Sequence, residues 1–172
     1  MHLMEHEGRS LFVLGGRTTK PMGSLLQEAT ALSGNGASVR LLNAELVFGM
    51  DHVRSALQKA ARAFDNGQNV SDSLATETML YMSGCRQIQE AVELFKLKGD
   101  GGVVCLADTA QGIGDKLAGG LSLKEDDSVL TEVNGKDAFK FGVSRAEGET
   151  VPKDRIIDLV LERVASVDIR KK

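Results

Sequence analysis

Cysteine is scarce in this chain. Cys85 and Cys105 lie twenty residues apart and form no CxxC pair, which excludes a disulfide framework or a zinc knuckle and fits a reducing compartment. Long apolar runs are missing as well. Leu11–Leu14 is too short for the apolar region of a signal peptide, and nothing approaches the ~20 residues of a membrane span. A cytoplasmic protein without membrane contact is expected. Excess positive charge is also absent: the formal net charge is -3, which argues against blanket nucleic-acid binding but leaves room for a local basic patch. Complete nucleotide motifs are lacking. Gly15-Gly16-Arg17-Thr18-Thr19-Lys20 does not satisfy G-x-x-x-x-G-K-[ST], and Gln111-Gly112-Ile113-Gly114 lacks a third glycine because position 117 is Leu. Both clusters read as turns. No His, Cys, Asp or Glu set has the spacing of metal ligands, so neither cofactor nor metal is expected.

What is present suits one compact domain over residues 1–172, with 1–9 and 168–172 as flexible ends. Ser10–Leu14 reads as a short buried strand ended by Gly15-Gly16, Leu25–Leu32 as a short helix, and Val39–Asn43 as a second strand. The clearest helix follows. Val53, Ala56, Leu57, Ala60, Ala61 and Phe64 make one apolar face, with Asp51 placed to cap its start and Asn66-Gly67 to stop it. Ser71 is placed to cap another helix that runs to Met82. Its last turns, Met79-Leu80-Tyr81-Met82, are apolar nearly all round, a pattern that demands burial by the chain's own core or by another protein. A third helix carries Ile88, Ala91, Val92 and Phe95 on its apolar face. Gly102–Asp108 predicts a central strand and Ala138–Ser144 a fourth one. Residues 109–135 carry little readable pattern, and Pro152 opens a last helix that buries Ile156, Ile157, Val160, Leu161 and Val164. Helices and strands come in blocks, so the fold class is α+β: a small mixed or antiparallel sheet with several helices packed on it.

Chemistry-bearing residues are few. His52 opens the clear helix, but no Ser, Cys or Asp is tied to it by a recognisable pattern, so a structural hydrogen bond is the better reading. Cys85 beside Arg86 has no partner base and reads as a small core residue. The cations say more. Arg54, Gln58 and Arg62 recur every four residues with Lys59 on the adjoining edge, a stripe that is either a solvated face or a grip on an anion. Arg86 is placed in the first turn of the third helix, where the macrodipole disfavours a cation. Glu90 at i+4 compensates it on one reading; on the other, Arg86 and the free N–H groups receive a phosphate. The terminal run from Asp168 to Lys172 ends in three basic residues, Lys171 among them.

Several ordered segments resemble the kinase-associated subunit of the KEOPS tRNA-modification complex, the family called TPRKB in animals. They are Asn43-Ala44-Glu45-Leu46-Val47-Phe48-Gly49, His52-Val53-x-Ser55-Ala56, the AxxAF spacing ending in Phe64, Glu77-x-x-Leu80-Tyr81-x-x-Gly84-x-Arg86-Gln87-Ile88, and Leu159–Ala165. The resemblance implies a non-catalytic subunit. It would bind the small RIO-like kinase, and through it the subunit that transfers threonylcarbamoyl to adenosine 37 of tRNA. It also implies help in recruiting tRNA by its 3′ CCA end. A single-stranded end wants cations and stacking surfaces. With no tryptophan and one tyrosine in the chain, apolar contacts or arginine planes would have to provide the stacking. Lys59, Arg62, Arg86, Gln87 and Lys171 are the expected tRNA-binding residues, and Met79 and Met82 the expected partner anchors. Two rivals stand beside this reading: an enzyme acting on an anionic small molecule through His52, Arg86 and Cys85, and a kinase-binding adaptor with no RNA role.

Overall fold

A computed structural model describes residues 1–34, 37–99, 101–110, 112–133 and 135–169. The fold is α+β. Strands β1 (His2–His6), β2 (Arg9–Arg17), β3 (Val39–Asn43) and β4 (Gly102–Asp108) form an antiparallel sheet in the order β1-β2-β4-β3, and the short β5 (Lys124–Glu125) pairs with the end of β2. β4 lies between β2 and β3, and five consecutive residues from Val103 to Ala107 are buried, as the expected central strand requires.

Side chains alternate across this sheet. Leu11, Val13, Leu42, Val104 and Leu106 face one core, while Leu14, Val39, Val103, Cys105 and Ala107 face another. The second core is closed by α1 (Met22–Leu32) and α5 (Ile113–Gly120). The first is larger. It is closed by α2 (Gly49–Asp65), α3 (Leu74–Ser83), α4 (Ile88–Leu94), α6 (Ser128–Thr131) and α8 (Ile156–Ser166), with α7 (Arg145–Glu149) packed on α8.

Four local expectations are corrected. The N-terminal residues are a strand, not a loose end. Glu7 and Gly8 both take positive φ, 49° and 76°, in a two-residue turn that pairs His6 with Arg9 and sets Met4 into the core. Ala138–Ser144 is not a strand: Ala138–Phe141 is a 3-10 turn, with Asp137 accepting the Phe139 N–H, that drops Phe141 and Val143 into the helical core. Gly15 and Gly16 lie inside β2, where a Cβ would meet Val129 at 2.7 Å and the Lys124 carbonyl at 2.9 Å. They are glycines of close approach, which let α6 pack on the strand and β5 pair beside it. Caps differ too. Asp51 pairs with Arg54 at 2.8 Å instead of capping α2, and Ser73 rather than Ser71 caps α3. Among the described residues no helix is long and apolar enough to cross a membrane.

Candidate functional site

The turn between α3 and α4 holds the most tightly built polar cluster. Gly84 adopts φ 72°, ends α3 and turns the chain so that Arg86 points back along that helix. Glu77 is 0% exposed. One of its oxygens accepts the Val70 and Ser71 N–H groups at 2.9 and 3.0 Å, and the other accepts Arg86 Nη1 at 2.7 Å. Arg86 Nη2 donates to the Gln68 carbonyl at 2.6 Å, and the guanidinium lies 5.1 Å from the Tyr81 ring centre. Every oxygen of the buried carboxylate is therefore satisfied. Arg86 lies outside α4, and its partner is Glu77 rather than Glu90. Its charge ties the α2–α3 connection to the α3–α4 turn.

The other expected RNA contacts divide. Arg62 is exposed in the last turn of α2. It sits next to Ala63, whose carbonyl accepts the Gln68 N–H, so the Arg86 docking point and Arg62 share one end of the molecule. Lys59 is half-buried, and its Nζ donates to the Ala165 carbonyl at 3.4 Å, bringing the stripe on α2 against the end of α8. Gln87 is exposed and precedes α4 without a side-chain cap bond. Lys171 lies outside the described residues. Lys59 thus meets the end of α8, Arg62 lies at the end of α2 that the Gln68 segment closes, and Gln87 follows the turn that Arg86 ties to Glu77.

Met79 and Met82, expected as partner anchors, are 2% and 0% exposed and belong to the large core. Every α3 residue from Ala75 to Ser83 is buried. The apolar excess of that helix is absorbed by this chain. On α4 the face is rotated from expectation: Ala91 and Phe95 are buried while Val92 is 50% exposed. Val92 and Leu26 of α1 rim a cavity of about 420 Å³ floored in part by Met79 and Phe95. α8 is different again. Val160, Val164 and Val167 face the core, but Ile157 and Leu161 are only half-buried, and Ile169 beyond the helix is 84% exposed. Ile157, Leu161, Ala165 and Ile169 follow one another at i+4 spacing, one stripe beside the core face.

The enzyme rival loses its groups one by one. His52 is fully buried. Its Nδ1 accepts the Phe48 N–H at 3.2 Å and its Nε2–H donates to the Met82 carbonyl at 3.0 Å, while Phe48 and Phe141 meet its ring edge-on. Burial, reinforced by the Lys136 charge, lowers its pKa to about 4 despite the Met82 carbonyl. Burial pushes the Cys105 thiol up to about 12. Cys85 contacts Ser83 Oγ at 3.0 Å and faces no base. Sequence reading missed two ties. Arg163 of α8, nearly buried, pairs with Glu147 of α7, whose carboxyl the Ser144 N–H and that guanidinium hold down at about 2. Tyr81 donates to Asp168 at 2.6 Å, anchoring the residues after α8.

A family model described as kinase binding protein CGI-121 matches residues 23–166. No curated protein matches the chain. The match spans α1 through α8, including the Glu77–Arg86 cluster and the α8 stripe. The chain belongs to the CGI-121 family of kinase-binding proteins.

Proposed function

We propose that this chain is the non-catalytic subunit of the KEOPS complex that holds its small RIO-like kinase, and that it helps bring tRNA, by its 3′ CCA end, to the subunit that transfers threonylcarbamoyl to adenosine 37. The observation that carries the kinase part is the outer edge of α8: Ile157 packs partly on the core, but Leu161 beside it stays half-buried outside the core cluster, and Ala165 and Ile169 are exposed. Specific interfaces bury about 1,200–2,000 Å² around a few apolar anchors, and a helix stripe with an exposed isoleucine at its end supplies such anchors. Mixing the purified chain with the RIO-like kinase of its own organism tests this. A complex that Leu161→Glu disrupts is expected; a chain that stays monomeric in the mixture sinks the reading.

The RNA part rests on Lys59 and Arg62 at the end of α2, with Gln87 exposed beside the rigid turn. An adaptor without RNA binding is the reading to beat. A Lys59→Ala, Arg62→Ala double variant should bind tRNA more weakly and with a flatter salt dependence, by a slope of about 0.7 per lost contact for a single strand. Removing the 3′ CCA should weaken binding more than altering the anticodon loop. Affinity that survives both changes removes RNA from the function.

A further inference from the structure

Lys136 stands apart from the other lysines. It is half-buried, and its Nζ is held by the carbonyls of Val47, at 2.6 Å, and Val129, at 3.3 Å. Val129 belongs to the short α6, whose late carbonyls lack helical partners. Lys59, also half-buried, reaches a single carbonyl at 3.4 Å, Lys20 and Lys96 pair with carboxylates, and Lys98, Lys116, Lys124, Lys140 and Lys153 are exposed. Among the described residues no carboxylate lies within ion-pair distance of Lys136. It opens on a cavity of about 430 Å³. Glu45, Glu132, Asp137, Lys98 and Lys140 share that cavity's wall, so neither sign of charge dominates it. Asp137 is occupied by the Phe139 N–H.

A neutral amine has two N–H groups, and here there are two carbonyl acceptors for them. The lone pair is then left for the cavity. An ammonium would turn its third N–H to the cavity, where among the described residues no carboxylate stands within ion-pair distance. We propose that Lys136 is a nucleophilic lysine, a modification site that takes an acyl group from an activated donor such as an acyl phosphate. In the step, the Nζ lone pair attacks the acyl carbon and a C–N bond forms. The bond from that carbon to the phosphate oxygen breaks, phosphate leaves with the electron pair, and the surplus amine proton passes to water. The product amide is neutral and keeps one N–H for two carbonyls. Burial, opposed only by the Glu132 charge, lowers the Lys136 pKa to about 8, which raises the fraction of free amine near neutral pH.

The same peptide group links this lysine to the core. The Val47 carbonyl accepts Lys136, the Phe48 N–H of that peptide donates to His52 Nδ1, and His52 Nε2–H donates to Met82. Acylation at Lys136 therefore alters the first bond of a chain that reaches the end of α3.

The experiment exposes the full chain to acetyl phosphate and follows each lysine by peptide mass spectrometry across pH. Lys136 should be acetylated roughly tenfold faster than Lys98 and Lys140 near neutral pH, with its rate levelling off above about pH 8. The advantage should vanish in the unfolded chain, and acetylation should move the Phe48 amide and His52 ring signals in NMR. Lys136→Arg should abolish the fast phase. Labelling of Lys136 no faster than that of the exposed lysines overturns the proposal and leaves it a structural ammonium.

Discussion

Two helices of this molecule carry apolar residues on more than one face, and they end differently. α3 is enclosed: β3 and β4 lie on one side, α2, α4 and α8 on others, and no residue from Ala75 onward reaches solvent appreciably. α8 rests on α2, α3 and α7, yet beside its core face Leu161 stays half-buried and Ile169 beyond it is 84% exposed. The same signature thus means core in one case and uncovered surface in the other. The α3 enclosure also carries the polar ties, since His52 fastens its last turn and Arg86 neutralises its one buried carboxylate. A helix of the core is held by partners that would be left unsatisfied without it. A helix available to another protein has few such ties on its free side.

The sharpest break on the α3 side is Arg86→Ala. It leaves Glu77 charged, buried and unpaired, and should destabilise the chain by about 3–5 kcal/mol in urea unfolding. An effect below about 1 kcal/mol would mean that Glu77 is compensated otherwise. Because this variant disturbs the fold, RNA affinity measured on it says little about direct contact.

Acid provides the next effect. The His52 pKa is lowered in the folded chain to about 4 from 6.5, so the unfolded state takes up a proton that the folded state refuses. Its contribution is fully present above pH 6.5 and is lost as pH falls towards about 4, a loss of the order of 3 kcal/mol. His52→Gln should flatten that part of the stability–pH curve; an unchanged curve would show that the imidazole is not the group responsible.

On α8 the expectation reverses. Leu161→Glu should change stability by only about 1 kcal/mol, yet weaken kinase binding by about 2 kcal/mol or more, as read by calorimetry. A variant that unfolds while a folded fraction still binds would place Leu161 in the core and erase the contrast with α3. The smallest effect belongs to the α2 cations. Arg62→Ala alone should leave the melting temperature unchanged and lower the tRNA salt slope by about 0.7. A large stability loss there would make Arg62 a structural cation, tied into the fold as Arg86 is tied to Glu77.

How much of this was legible depends on the range of the interaction. The α2 face, from Val53 to Phe64, was plain because a 3.6-residue period is a local property of the sequence, and β3 and β4 stood out as short β-rich or buried runs. β1 was not legible. His2–His6 has one core residue, Met4, and becomes a strand only because β2 offers an edge. Phe139 and Phe141 alternate as in a strand, yet the space between α2 and α8 accepts a tight turn there. Arg86 showed the limit most clearly. Glu90 was the nearest carboxylate by helical spacing, but Gly84 turns the chain and delivers the guanidinium to Glu77.

The α+β class, the main helix faces and the shortage of catalytic groups were already written in the amino-acid order, since each follows from composition or from periods a few residues long, whereas the apolar end of α3 read equally as core or as a partner surface. Three-dimensional packing alone settled which apolar helix is enclosed, which carboxylate takes Arg86, and that Lys136 meets the distant Val47 carbonyl together with the nearby Val129 carbonyl. Those outcomes depend on where turns and packed elements bring residues together, and no local pattern encodes the direction in which a side chain will then find its partner.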